Sequence, residues 1–129
     1  MNKELARRAV ACKSWRWLPG MLTLEEIVPP AITLGWDAAR VLHADEGEAV
    51  RVCTVLGKVR DIHATALPDL TDPATVGALL ALVREAWGGC DTYLYPGSGE
   101  GDWWCSAGDQ DFHATTEAEA LVAALEAAP

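Results

Sequence analysis

The chain has 129 residues, half of them apolar, and its 19 acidic and 10 basic residues give a formal net charge of −9 with neutral His. This length fits one domain over residues 1–129, and the apolar fraction excludes a chain that is disordered by composition. The acidic balance argues against general nucleic-acid binding, because phosphate contacts need a cationic surface. With no apolar run of about 18 residues and no apolar leader, we expect a cytoplasmic protein.

The basic residues cluster at the start of the chain. Residues 1–16 contain five basic residues and one acidic residue, a local charge of +4, so the remaining 113 residues carry −13. This asymmetry indicates a local patch that attracts anions, with a solvated helix face as the alternative. Tryptophan is also frequent, since six of the nine aromatic residues are Trp.

The first predicted element is a helix over 2–14. Because Pro19-Gly20 follows, we expect this helix to end between Ser14 and Trp17, so that 13–21 forms a turn leaving a basic helix. Its apolar arc consists of Leu5, Ala6, Ala9, Val10 and Cys12.

Residues 22–48 have the least regular pattern, because Pro29 and Pro30 break any helix there. An acidic Gly-containing run at 45–48 indicates a turn, and β-branched residues follow it. The predicted strands, of which the second and third form a hairpin, are 32–36, 39–44, 49–56 and 58–65.

The clearest predicted element is a helix that opens at Thr71-Asp72-Pro73 and ends at Gly88-Gly89. Either Thr71 or Asp72 is its N-cap, and Pro73 lies in the first turn. Few charges interrupt the helix on any side, so we expect cover by another helix or by a second copy of the chain, and we predict a homo-oligomer. Its inner stripe consists of Val76, Leu79, Leu80, Val83 and Trp87.

Three strands and a last helix complete the chain. The strands are predicted over 92–95, 103–107 and 112–114. A capping box of Thr116 and Glu119 opens a helix that runs to about residue 127. The order α-β(3–4)-α-β(3)-α predicts the α+β class, with one or more antiparallel sheets and packed helices in a sandwich-like single domain.

The four cysteines contain no Cys-x-x-Cys pair and do not predict a disulfide framework. Cys12 and Cys105 are interpreted as small buried apolar residues. A zinc site of Cys90, Cys105 and His113 is an alternative, but its spacing matches no standard ligand pattern. We therefore expect no metal site and no cofactor.

Two segments resemble a recurrent family of small acidic phage and prophage proteins: Glu-Leu-Ala-Arg-Arg-Ala-Val-Ala-Cys-Lys-Ser-Trp-Arg-Trp-Leu-Pro-Gly-Met over 4–21, and the Leu-Pro-Asp-Leu-Thr-Asp-Pro segment with its helix over 67–88. The Trp-Trp-Cys strand and the helix after it are similar to the C-terminal part of phage ABA-sandwich domains. The resemblance covers half of the chain and leaves out 22–66. It implies a phage origin and the cytoplasm of a host cell, where small phage proteins block host defence, some by sequestering nucleotide signals.

The first candidate site is the basic and aromatic segment after the first helix. Lys13, Trp15, Arg16 and Trp17 place two cations and two indoles within five residues, beside a helix that carries Arg8. Arginine and lysine hold phosphates and an indole stacks on a base, so the segment fits a nucleotide-like anion. In the alternative interpretation, the two Trp residues anchor the turn in the core and Arg16 points outward.

The second candidate is the pattern Asp-x-His-Ala-Thr, which occurs at 61–65 and again at 111–115. It is similar to the His-x-Thr pair of two-histidine phosphoesterases, in which the His residues are general acid and base and the Thr hydroxyls hold the phosphate. The chain is short for that fold, so chance recurrence is the alternative, with Thr115 or Thr116 capping the last helix. We expect the two imidazoles to lie more than about 8 Å apart. The resemblance implies a site of His63, Thr65, His113 and Thr115.

A glycine-rich run at 97–101 lacks the Gly-Lys-Ser/Thr of a phosphate loop and is interpreted as a hairpin turn. Trp103 and Trp104 follow it on opposite faces of a strand. One of them is expected in the core, and the other extends an aromatic surface.

These observations predict a non-enzymatic phage protein that counters host defence by sequestering a nucleotide-like anionic signalling molecule, without membrane contact. One alternative is a two-histidine phosphodiesterase acting on cyclic nucleotides or oligonucleotides. Another is an inhibitor that binds a host defence protein through an acidic surface. The expected ligand-binding residues are Arg8, Lys13, Trp15, Arg16, Trp17 and Trp104.

Overall fold

The computed structural model describes residues 2–26, 36–89 and 91–129 of the chain. Of the strand predicted over 32–36, all but Trp36 lies outside the described residues, and Cys90 lies outside them as well.

Three helices and two antiparallel sheets make up the described residues, so the predicted α+β class with helices packed on sheets is confirmed. The order of the sheet strands is β4-β3-β2-β1-β5 in the first sheet and β6-β7-β8 in the second. The elements are α1 (Lys3–Ala11), β1 (Leu22–Glu26), β2 (Trp36–His43), β3 (Arg51–Thr54), β4 (Val59–Asp61), β5 (Leu67–Pro68), α2 (Pro73–Ala86), β6 (Thr92–Pro96), β7 (Trp103–Ala107), β8 (Gln110–Ala114) and α3 (Glu117–Glu126).

The described part of the chain has five strands before α2, where the sequence predicted three or four. The sequence analysis missed β1, although the alternation Leu-Thr-Leu-Glu over 22–25 is a strand signal. The structure buries the polar set of this strand, Thr23 and Glu25, and leaves Leu22 and Leu24 half-exposed. The other missed strand, β5, has only two residues.

Helix α1 is shorter than predicted, and its expected end between Ser14 and Trp17 is wrong. The Asn2 side chain accepts the Leu5 N–H and caps the start of the helix. At the other end, Cys12 adopts an extended backbone (φ −67°, ψ 138°), so the helix ends at Ala11, well before the Pro-Gly pair.

Contacts between residues divide the chain into two compact units. The first unit is Trp17–Thr75 and contains the five-stranded sheet. The second consists of Asn2–Arg16 and Val76–Pro129 and contains the three-stranded sheet. The single domain over 1–129 stays a prediction, and so does the homo-oligomer inferred from the apolar character of α2.

The first unit contains a buried carboxylate, Glu25, whose side chain is 3% exposed. Arg60 on β4 donates two hydrogen bonds to it, at 3.1 and 2.6 Å. The backbone N–H of His63 donates a third, and the His63 imidazole lies 2.9 Å away through Nδ1. A buried charge is tolerated only when it is paired and hydrogen-bonded in this way.

The pairing of Glu25 with Arg60 also constrains the shape of the sheet. Strands β1 and β4 are separated by β2 and β3, which on a flat sheet corresponds to about 14 Å. The backbone N–H of His63, two residues after β4, lies 3.2 Å from the Glu25 carboxylate, and a glutamate side chain extends only about 5 Å, so the sheet coils toward the face that carries Glu25. The same face carries the apolar core of this unit, which includes Met21, Ala39, Val41 and Val52.

Asp72 caps the start of α2, as predicted, by accepting the Thr75 N–H at 2.9 Å. The same carboxylate accepts a hydrogen bond from Arg40 at 2.7 Å. Burial alone would raise the pKa of Asp72, but the hydrogen bonds from Arg40 and Thr75 outweigh it and lower the pKa. This carboxylate thus ties the first turn of α2 to strand β2.

In the second unit, α3 packs against β7 and β8 on one side and against α1 on the other. Its N-cap is Thr116, whose hydroxyl accepts the Glu119 N–H, as the predicted capping box requires. The core residues of this unit include Leu5, Leu79, Leu82, Val83, Cys105, Leu121 and Leu125.

None of the helices in the described residues combines the length and the apolar character that a membrane crossing demands.

Arg60→Ala should lower the free energy of unfolding by about 3 kcal/mol, because it leaves the Glu25 carboxylate buried without its main partner. Urea denaturation at neutral pH measures this loss. The matched control is Arg51→Ala on the adjacent strand, which removes an exposed ion pair with Asp61 and should cost less than about 1 kcal/mol. Equal losses in the two variants would contradict the role given to Glu25.

Asp72→Asn should cost about 1 kcal/mol at neutral pH, since the amide keeps the helix cap but loses the charge that faces Arg40. The folded-state pKa of Asp72 is lowered, so its stabilisation is complete above the unfolded value of about 3.9 and is lost as the pH falls through the folded value. The difference from wild type in urea denaturation should therefore disappear in acid. A difference that is the same at neutral and acidic pH would count against this assignment.

Candidate functional site

The register of the three-stranded sheet assigns each of its side chains to one of two faces. Cys105 and Ala107 on β7 are fully buried and belong to the face that α3 covers. Residues paired across the strands share a face, and neighbours along a strand alternate. The opposite face therefore carries two cross-strand rows, Tyr95–Trp104–His113 and Tyr93–Ser106–Asp111, which we call the aromatic face.

The aromatic face is open to solvent. Tyr93 is 59% exposed and Tyr95 is 41% exposed, and Trp104 is half-buried between its row neighbours. A row of large rings with this exposure is uncommon on a free surface and is typical of binding sites, because such rings bring a large apolar area together with polar edges.

One end of the row is fixed by a short polar chain. His113 Nε2 is hydrogen-bonded to Asp102 Oδ1, and the His113 ring stacks on Trp104 with centroids 4.6 Å apart and planes inclined by 39°. Asp102 itself is held by the preceding loop, whose Gly97 N–H donates to the Asp102 carbonyl at 2.7 Å. A side chain at Gly97 would overlap the Asp102 carboxylate and displace it from His113.

The segment that contains the aromatic face is acidic. Residues 85–129 contain nine acidic residues and neither Lys nor Arg. On the aromatic face itself, Asp111 is exposed in the row next to Trp104. An aromatic surface with carboxylates around it attracts cations and repels phosphates, since ring faces are electron-rich and both groups are negative.

The sequence analysis included Trp104 among the binding residues but missed its partners Tyr93, Tyr95 and His113 in this role. The Tyr-x-Tyr spacing of 93–95 placed both rings on one face of a strand and was the available signal. What the sequence did not show is which face of the sheet α3 covers.

Arg8, a predicted anion ligand, is already engaged by a carboxylate. Its guanidinium donates two hydrogen bonds to Glu126, at 2.8 and 2.7 Å. The hydrogen bond with Arg8 lowers the pKa of Glu126, and the same contact raises the pKa of Arg8. An anionic ligand would have to displace Glu126 to reach this guanidinium.

The rest of the predicted basic segment is divided between the two units. Arg16 donates to Glu85 at 2.6 Å in an exposed ion pair. Lys13 is exposed and makes no ion pair with any described residue, and Trp15 is half-buried after the turn that follows α1. Trp17 belongs to the first unit, whereas Lys13, Trp15 and Arg16 belong to the second. The binding role of these residues stays a prediction.

The two histidines of the predicted phosphodiesterase pair are held by different carboxylates. His63 contacts Glu25 in the first unit, and His113 contacts Asp102 in the second. Thr115 donates its hydroxyl to Glu119 at 2.7 Å, next to Thr116, which caps α3 as one form of the alternative interpretation expected. The separation of the imidazoles and the absence of catalysis stay predictions.

The register of the three-stranded sheet argues against the alternative zinc site of Cys90, Cys105 and His113. Cys105 lies on the covered face and His113 on the aromatic face, and Cys90 lies outside the described residues. Burial raises the pKa of the Cys105 thiol to about 11, so at neutral pH it stays a protonated core side chain.

No family model, no curated protein and no solved structure matches this chain. The resemblance to phage proteins and to ABA-sandwich domains therefore stays a prediction, and the function has to be argued from the site.

Proposed function

We propose that the chain is a binding protein without catalytic activity and that its aromatic face docks a basic segment of a partner polypeptide. The observation that carries the proposal is the exposed row Tyr95–Trp104–His113 on a segment, 85–129, that has neither Lys nor Arg. Aromatic rings are the side chains most enriched at the centres of protein interfaces, because they contribute much area at little entropic cost.

Charge selects the class of partner. A guanidinium or ammonium group over the Trp104 ring gains about 0.5–2 kcal/mol, depending on how far the pair is desolvated. Asp111, in the neighbouring row, supplies a carboxylate for a second cationic side chain. The seven acidic residues of this segment other than Glu85 and Glu126, which pair with Arg16 and Arg8, add long-range attraction, which accelerates encounter with a basic partner and weakens as salt is added.

This proposal develops the hypothesis of an inhibitor that acts through an acidic surface. In a phage setting, the partner would be a basic component of a host defence system, and the protein would act by occupying the surface that the component uses for nucleic acid.

Trp104→Ala should weaken binding of a short peptide of alternating Arg and Gly roughly tenfold, since it removes the best cation–π partner of the face. Two-dimensional ¹H–¹⁵N NMR of the indole N–H groups measures the affinity, with the Trp104 resonance assigned from Trp104→Phe. We expect that resonance to shift with the Arg-Gly peptide and to stay in place with a Glu-Gly peptide.

Asp111→Asn and Asp109→Asn form a matched control pair. Both carboxylates are exposed, but Asp111 lies on the aromatic face and Asp109 lies in the turn between β7 and β8. Asp111→Asn should weaken Arg-Gly binding severalfold at low salt, and Asp109→Asn should change it less than twofold. Equal losses of affinity in Asp111→Asn and Asp109→Asn would show that the peptide responds only to overall charge. Such losses, or an affinity that Trp104→Ala leaves unchanged, would refute the proposed face.

A second candidate function is the predicted sequestration of a nucleotide-like anion, for which the second unit supplies Lys13, Trp15 and Arg16. Two observations favour it. Lys13 is exposed and makes no ion pair with any described residue, and the Arg16–Glu85 ion pair is exposed on both sides. Exposed ion pairs of this kind contribute less than about 1 kcal/mol, so a phosphate competes with Glu85 at little cost.

Glu85→Gln should raise the affinity for ATP or cyclic AMP severalfold, because it releases Arg16, and the double change Trp15→Ala with Arg16→Ala should abolish binding. Isothermal titration calorimetry measures both effects, with circular dichroism to verify folding. Unchanged affinity in a folded double variant would eliminate this candidate. Recovery of the nucleotide intact after denaturation identifies a binder, whereas its conversion would support the two-histidine phosphodiesterase instead.

A further inference from the structure

Three side chains of metal-ligating types, none of them part of either candidate site, come together in the first unit. His43 is the last residue of β2, and Asp45 and Glu48 follow in the connection to β3. His43 Nε2 lies 3.1 Å from Asp45 Oδ2 and 3.6 Å from Glu48 Oε2. One ligand atom of each residue lies within 4.8 Å of the others.

The local backbone brings these three side chains together. The Glu48 N–H donates to the Asp45 carbonyl at 3.2 Å, so 45–48 is a β-turn. Its third residue, Gly47, has φ +81°, a value that favours glycine and that type II turns require at this position. The turn returns Glu48 toward His43, which pairs with Arg51 across the hairpin after a shift in register.

We propose that His43, Asp45 and Glu48 bind a divalent transition-metal ion of the Zn²⁺ class. A tetrahedral ion with bonds of about 2.0–2.1 Å to nitrogen and carboxylate oxygen needs its ligand atoms about 3.3 Å apart. The distances of 3.1 and 3.6 Å from the His43 nitrogen to its two carboxylate neighbours lie on either side of that value. The Asp45 and Glu48 donor atoms lie within 4.8 Å of each other, so the two carboxylates close around the ion by at most about 1.5 Å.

The chemistry of the donors selects the ion. Ca²⁺ and Mg²⁺ take oxygen ligands, whereas an imidazole nitrogen suits Zn²⁺, Cu²⁺ and Ni²⁺. The two carboxylates balance the charge of a divalent ion, but on their own they would attract any divalent cation. The imidazole nitrogen makes the site selective for the Zn²⁺ class. All three side chains are exposed, so at least one coordination position stays open to water or to a ligand from a partner.

Isothermal titration calorimetry of the full chain with Zn²⁺, and separately with Ca²⁺, tests the assignment. We expect one Zn²⁺ event that Ca²⁺ does not reproduce and that His43→Ala and Glu48→Gln each weaken at least tenfold. NMR should show the His43 imidazole resonances moving with Zn²⁺, which separates this site from binding to the cysteine thiols.

The matched control is Glu46→Gln, an exposed acidic residue of the same turn that is outside the three-donor group. It should change the Zn²⁺ affinity less than twofold and leave the NMR shift of His43 intact. Two results would overturn the site. One is Zn²⁺ binding that leaves the His43 resonances in place, and the other is an equal loss in Glu46→Gln and His43→Ala, which would indicate attraction to the acidic loop as a whole.

Discussion

The candidate binding face depends on one packing contact, the cover that α3 provides for one face of the three-stranded sheet. Because side chains alternate along a strand, covering Cys105 and Ala107 leaves Trp104 and its paired residues on the opposite face. A shift of the register by one residue would exchange the two sets. The short side chains of Cys105 and Ala107 let α3 approach the sheet, while Trp103 and Phe112 share the covered face and Trp104 lies on the uncovered one.

The first unit depends on a different constraint, the buried carboxylate of Glu25. Its hydrogen bonds with Arg60 and His63 compensate the cost of removing the charge from water, and they form only when the sheet coils. A buried ion pair contributes little net stability compared with apolar packing, but it strongly disfavours arrangements that separate its partners. Glu25 therefore contributes more to selecting the coiled shape of this sheet than to its stability.

Ion pairs also decide what the basic residues are available for. The N-terminal segment has a local charge of +4, which suggests an anion site. In the folded second unit, however, Arg8 and Arg16 pair with Glu126 and Glu85, each distant in sequence. These acids come from the part of the chain that has neither Lys nor Arg, so the two charge excesses partly neutralise each other. The carboxylates near the aromatic face have no such cationic partner among the described residues, His113 beside Asp102 excepted.

The sequence by itself determined the elements with strong local signals: α2 from its Asp72 cap and glycine end, α3 from its capping box, and the three-stranded meander from its turns. It also indicated that Trp103 and Trp104 lie on opposite faces. Tertiary structure alone decided the rest, because the deciding contacts join residues far apart in the chain. Strand β1 buries the Glu25 carboxylate, whose partners Arg60 and His63 lie more than 30 residues away in the chain. Which tryptophan lies on the aromatic face depends on where α3 packs, and local sequence carries no information about that choice.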